Sequence, residues 1–131
     1  MIITDRQFVS AIFITFSGNC KEALTYYQTC FGGNLYFEVF DKKLPGYANL
    51  PVVSGSLVAD DITIYGSDLV HNEGRIVGNY MAIFLQCEDS HARQELIEKL
   101  EFDKKDIPAR NYDQKLIEIV DAFDVRWALY V

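Results

Sequence analysis

Apolar and polar positions along this chain switch between two periods, and the switches mark its elements. Ser10 to Phe16 is a short run of β-branched and aromatic residues, which predicts a strand buried on both faces. The period then changes. Cys20, Ala23, Leu24, Tyr27 and Phe31 form a helical stripe, and Asn19 with Glu22 three residues later has the arrangement of a capping box. Gly32-Gly33 stops that helix, because glycine reaches positive φ at little cost. Leu35 to Phe40 alternates again and predicts a second strand. Lys42 to Pro51, with Pro45, Gly46 and Asn49, is a loop. Val52 to Ala59 and Ile62 to Tyr65 then make a hairpin around Asp60-Asp61. This half reads β-α-β-β-β.

Gly66 to Asn79 is a polar connector, and after it the order restarts. Tyr80 to Cys87 is a strand, and Asp89 or Ser90 caps a helix carrying Ala92, Leu96, Ile97 and Leu100. Ile107 to Tyr112 reads as a short strand, Lys115 to Val120 as a clearer one, and Val125 to Val131 closes the chain. The tripeptide Ala-Ile-Phe recurs at Ala11 to Phe13 and Ala82 to Phe84, in step with the repeated element order. The expected class is α+β: one domain over 1–131, with module one at about 8–68 and a shortened module two at about 80–131.

Composition narrows the function classes. With 19 acidic against 12 basic residues and a net charge of −7, the chain lacks the positive footprint of a nucleic-acid binder. No run approaches eighteen apolar residues, so no membrane span is expected. Met1 to Arg6 places an acid and a base before any apolar stretch, unlike a secretory leader, so a cytoplasmic location is expected. Cys20 and Cys30 would lie about 15 Å apart along one helix, too far to bridge. With Cys87 they read as small buried hydrophobes in a reducing compartment. There is no Gly-rich phosphate loop, dinucleotide fingerprint or Ser-His-Asp pattern, so no cofactor is expected and no catalytic residue is named. The carboxylate pairs Asp60-Asp61 and Asp103/Asp106 fall in turns and loops, where solvated charge is the default.

Phe16-Ser-Gly-Asn-Cys-Lys-Glu-Ala-Leu-Thr-Tyr-Tyr27, continuing to Cys30-Phe-Gly-Gly33, resembles the opening of the PhnB-like, demethylubiquinone-methyltransferase-like branch of the glyoxalase/bleomycin-resistance proteins, within the vicinal oxygen chelate superfamily. Val120-Asp-Ala-Phe-Asp-Val-Arg-Trp-Ala128 is similar to that family's closing Asp-Pro-Phe-Gly…Trp motif, and Ile64-Tyr-Gly-Ser-Asp68 to the strand ending its first module. The resemblance implies two β-α-β-β-β modules forming a curved mixed sheet, helices outside and a cleft inside, commonly in a homodimer. It also implies metal-ligand positions on the first, third and last strands. Aligned by motif, these fall at Ala11, Ser54 and Ala128, which offer no adequate donor set, so no metal is expected. His71 and His91 lie in the connector and at a helix start, away from those strands. Ala122 and Asp124 replace the motif's Pro and Gly, so the final turn is expected to hold Asp124 in a left-handed conformation.

Alternation extends the cleft-facing set to Phe13 and Thr15, Ser54, Ser56 and Val58, and Arg126 and Tyr130, and puts Ile12, Ile14, Phe16, Trp127 and Leu129 under the helices. A cleft with Phe13, Thr15, Ser54, Ser56, Arg126 and Tyr130 suits a planar or amphipathic ligand bearing an anionic group. Two structural alternatives stand beside this: Arg126 pairs with Glu118 across the hairpin, or Phe13 and Tyr130 plug a collapsed cleft. The expected function is therefore metal-free binding of a small hydrophobic or aromatic molecule. The alternatives are a metal-dependent lyase, isomerase or dioxygenase of the same superfamily, and a degenerate dimerisation module with a filled cleft.

Overall fold

Ile12 and Ile14 point one way and Phe13 and Thr15 the other, and this alternating run forms β1 (Ile12–Thr15), followed by α1 (Cys20–Phe31). A computed structural model describes residues 10–47, 49–69 and 77–131. Met1 to Arg6 and His71, singled out above, lie outside these. The chain divides into two units, Met1–Arg75 and Ile76–Val131.

In the first unit β2 (Asn34–Val39), β3 (Val52–Val58) and β4 (Thr63–Ser67) join β1 in the order β1-β4-β3-β2. The β1–β4 pair is parallel and the rest antiparallel, so the sheet is mixed. Helix α1 buries Cys20, Ala23, Leu24 and Tyr27 against one face of it. Under the helix, Gly55 and Gly66 are cross-strand partners. A Cβ on Gly66 would sit 2.8 Å from Phe16 Cε2, and one on Gly55 3.0 Å from Leu24 Cδ1, so the bare backbone lets the helix descend onto the sheet. Gly33 has both requirements at once: φ is 92°, and a Cβ there would lie 2.4 Å from the Val58 carbonyl oxygen. Phe16, Leu57 and Ile64 complete this core.

The second unit runs β5 (Ile83–Gln86), α2 (Ser90–Leu100), β6 (Leu116–Val120) and β7 (Arg126–Tyr130), with sheet order β5-β7-β6. The parallel first-to-last pairing recurs, so the repeated order reflects a repeated topology. The counterpart of β2 is missing. Residues Ile107 to Tyr112, expected as a short strand, form an irregular loop. Pro108 has no N–H to give a ladder, and side chains engage the segment instead. Arg93, fully buried on α2, donates to the carbonyls of Tyr112, Gln114 and Lys115 at 2.9, 2.7 and 2.8 Å. Arg110 grips Glu101 with two bonds of 2.7 and 2.6 Å. Lys104 Nζ takes the Val120 carbonyl at 2.8 Å.

Two end-of-helix expectations resolve differently. Asp89 rather than Ser90 caps α2, its side chain accepting from the Ala92 N–H at 2.8 Å. The capping box at Asn19 does not form: Asn19 makes no side-chain cap bond, and its Oδ1 is buried without a partner. Asp68, at the end of β4 and buried, supplies the cap from 48 residues away, accepting from Gly18 N at 2.8 Å and Cys20 N at 3.1 Å through Oδ1. Its Oδ2 accepts from Val52 N at 2.9 Å, so one carboxylate fixes the helix start and the entry to β3. The connector therefore begins after Asp68, since Gly66 and Ser67 belong to β4. The left-handed Asp124 is found, with φ 65°.

Candidate functional site

With α1 on one face of the first sheet, the opposite face has no helix from its own unit. Register places Phe13 on β1 opposite Tyr65 on β4, Tyr65 opposite Ser56 on β3, and Ser56 opposite Tyr36 on β2. These four side chains form one row across all four strands. Phe13 is 57% and Tyr36 77% exposed, although both are large and apolar in body. Neighbouring strands are about 4.8 Å apart, so Tyr65 and Tyr36 stand about 10 Å apart with only Ser56 between them. The small serine thus leaves a notch walled by two phenol rings. Glu38 and its partner Ser54 close one end of the notch, and Val58 with Thr63 the other. Glu38 is exposed and has no basic partner among the described residues.

Of the residues expected in a site, Phe13, Thr15, Ser54 and Ser56 all lie on this face. Sequence reasoning missed Tyr36, Glu38 and Tyr65. Tyr36 and Glu38 share the parity of the outward positions on their strand. Tyr65 became legible only with the hairpin register, which a one-residue slip would invert.

Arg126 and Tyr130 lie on the second sheet. Arg126 Nη1 donates to Glu118 Oε1 at 2.5 Å across the β6–β7 hairpin, so the pairing weighed above is made. Arg126 Nε is shielded from solvent and lacks a partner. The Tyr130 ring lies 6.2 Å from that of Phe84, its neighbour on β5. The row equivalent to Phe13–Tyr65–Ser56 is Phe84–Ala128–Glu118, with no fourth strand to supply a wall.

The remaining polar groups have structural work. Asp121 accepts from Phe123 N and Val125 N, and its Oδ2 takes the Trp127 indole N–H at 2.7 Å. The arrangement locks the final turn in place. Burial, and secondarily the negative Asp68, pushes the Cys20 thiol up to about 12, which makes it inert. Burial also raises Cys87, against the pull of Arg93. Hydrogen bonding to Glu101 raises Arg110. His91 pairs with Glu95 on the exposed side of α2. Ala11 precedes β1, while Ser54 sits on β3 and Ala128 on β7. Among the described residues no three His, Cys, Asp or Glu side chains group as a metal site, and no helix is long and apolar enough to cross a membrane.

No family model matches the chain, and no curated protein matches it. Solved structures do. The PhnB protein of Bacillus cereus is 19% identical, with a TM-score of 0.67 over 92% of this chain and 97% of its own. A Pseudomonas aeruginosa protein is 22% identical, with a TM-score of 0.73 over 95% and 97%. An Arabidopsis thaliana gene product is 15% identical, with a TM-score of 0.57 over 98% and 100%. At such identities the likeness is one of fold: an α+β architecture of two open mixed sheets, matching PhnB-like structures.

Proposed function

We propose that this protein is a metal-free, glyoxalase-like binder of small hydrophobic or aromatic molecules, which it carries or sequesters without transforming them. The observation carrying this reading is the row Phe13–Tyr65–Ser56–Tyr36. Phe13 and Tyr36 stand exposed and Tyr65 half-buried on the sheet face turned away from α1, while the opposite face already holds the unit's core. Aromatic rings beside hydroxyls suit ligands that stack and accept one or two hydrogen bonds. Thr15 and Ser54 extend this set. Ala11, Ser54 and Ala128, at the positions where metal-dependent relatives would carry ligands, support the metal-free reading through their own side-chain chemistry.

The same reading takes the protein as a cytoplasmic homodimer. Tyr80, Met81 and Phe84, exposed at 88, 70 and 59%, are large apolar surfaces of the kind a second copy covers. Sedimentation velocity reads the oligomeric state directly.

A thermal-shift and fluorescence screen with planar aromatic compounds tests the binding role. Binding raises the melting temperature once the compound exceeds its Kd, and Phe13→Ala with Tyr36→Ala removes the shift. Stoichiometric metal in the purified protein, lost on substitution of a sheet-face residue, would overturn the metal-free reading. Uniform silence across the screen would overturn the binding role.

A further inference from the structure

We propose that the ligand taken by the first sheet is a planar organic cation, stacked on a phenol face in the notch between Tyr36 and Tyr65, above Ser56, with its charge against Glu38. This rests on the binding role proposed above and names the chemistry of that site. Three features of the face converge on it. The first is spacing: two walls about 10 Å apart leave room for an aromatic ring system stacked at about 3.5 Å on one phenol face, with the other phenol across the gap. The second is the floor. Ser56 is the only side chain between the tyrosines in that row, and it is small enough to leave the notch open.

Charge is the third. Among the outward side chains of the four strands, Glu38 alone is a formal charge at neutral pH. No base among the described residues neutralises it. Phenol faces attract cations through their quadrupoles, and a carboxylate at the end of the notch adds a directional anchor. An anionic ligand would meet the repulsion of Glu38 here. The nearest equivalent on the second sheet shows the contrast: Glu118 stands where Ser56 does, and Arg126 already holds it. The cation site therefore belongs to the first unit alone.

The test uses three flat probes of one ring size at pH 8: N-methylacridinium, neutral acridine and acridine-9-carboxylate. Fluorescence titration of the full chain should rank them cation, neutral, anion, with the cation about tenfold tighter than acridine and the preference shrinking in 0.5 M NaCl. Glu38→Gln should lower N-methylacridinium affinity about fivefold and leave acridine unchanged, whereas Tyr36→Ala should weaken both. Both positions are exposed, and the salt series on the unsubstituted protein needs no variant at all. Equal binding of cation and neutral probe, or a preference that survives Glu38→Gln, would overturn the cation site while leaving the small-molecule role standing. Failure of all three probes to bind would overturn both.

Discussion

The two units repeat one topology around opposite choices at the same place. Aligning the two Ala-Ile-Phe tripeptides, the row Ile14–Gly66–Gly55 of the first sheet corresponds to Leu85–Leu129–Ile117 of the second. Ile64 corresponds to Trp127 in the same way. Where the first unit empties its sheet so that α1 can come down on backbone, the second fills it with leucine, isoleucine and the chain's one tryptophan. Edges differ too. The first has β2; the second has a loop whose carbonyls are held by a guanidinium. Sheet edge and loop solve one problem, satisfying backbone polar groups beside a core, by two means. On the outward faces the difference reaches function: only the four-strand sheet has a second wall, Tyr36, to make a notch.

The sharpest way to break this comparison is to remove the second unit's substitute for a strand. Arg93→Met keeps the apolar stem but leaves the Tyr112, Gln114 and Lys115 carbonyls without their donor, and should cost about 4 kcal/mol in urea denaturation. Hydrogen exchange should rise first in residues 101–115; a uniform rise along the chain would show the units to be inseparable in stability. Asp68→Asn comes next. It presents a donor to one of three backbone N–H groups and should cost about 3 kcal/mol, with exchange rising at Gly18, Cys20 and Val52. Gly66→Ala probes the emptied floor, and should cost about 2 kcal/mol by lifting α1 from the sheet.

A smaller effect appears as pH rises. The folded thiol of Cys20 ionises near 12, whereas an unfolded cysteine does so at its ordinary value of 9.0. Its burial thus favours the fold fully below pH 9, and that contribution is lost progressively between 9 and about 12 as the unfolded chain alone gives up its proton. Between pH 8 and 10 the protein should lose about 1 kcal/mol that Cys20→Ala does not lose. Equal slopes for the two proteins would show the thiol to be accessible. Glu118→Gln marks the lower end: its exposed pair with Arg126 should be worth about 0.5 kcal/mol or less, and disappear in high salt.

Much of this fold was legible from periodicity, because the strands and helices each bury one face and so write their period into the chain. The stops were legible as well, since Gly33 and Asp124 sit at positive φ, where few residues go. The failures share a cause. Asn19 has the local pattern of a cap, yet a carboxylate 48 residues away takes its place, and no local rule ranks a distant competitor. Ile107 to Tyr112 has the composition of a strand, but Arg93 claims its final carbonyl from another element. Half of the candidate site was found by parity. Tyr65 and Tyr36 were not, because their place beside Ser56 depends on register across two strand pairs.

The sequence by itself determined where the chain bends, which side of each strand meets a helix, and that two like halves follow one another. Those properties are local, set by steric limits on each residue and by the spacing of its apolar neighbours. Only the tertiary structure decided which carboxylate caps α1, that a buried arginine stands in for a strand, and that Tyr36, Ser56, Tyr65 and Phe13 share one row. Each of those depends on strand register and on contacts between residues far apart in sequence, which packing and backbone hydrogen bonding settle together.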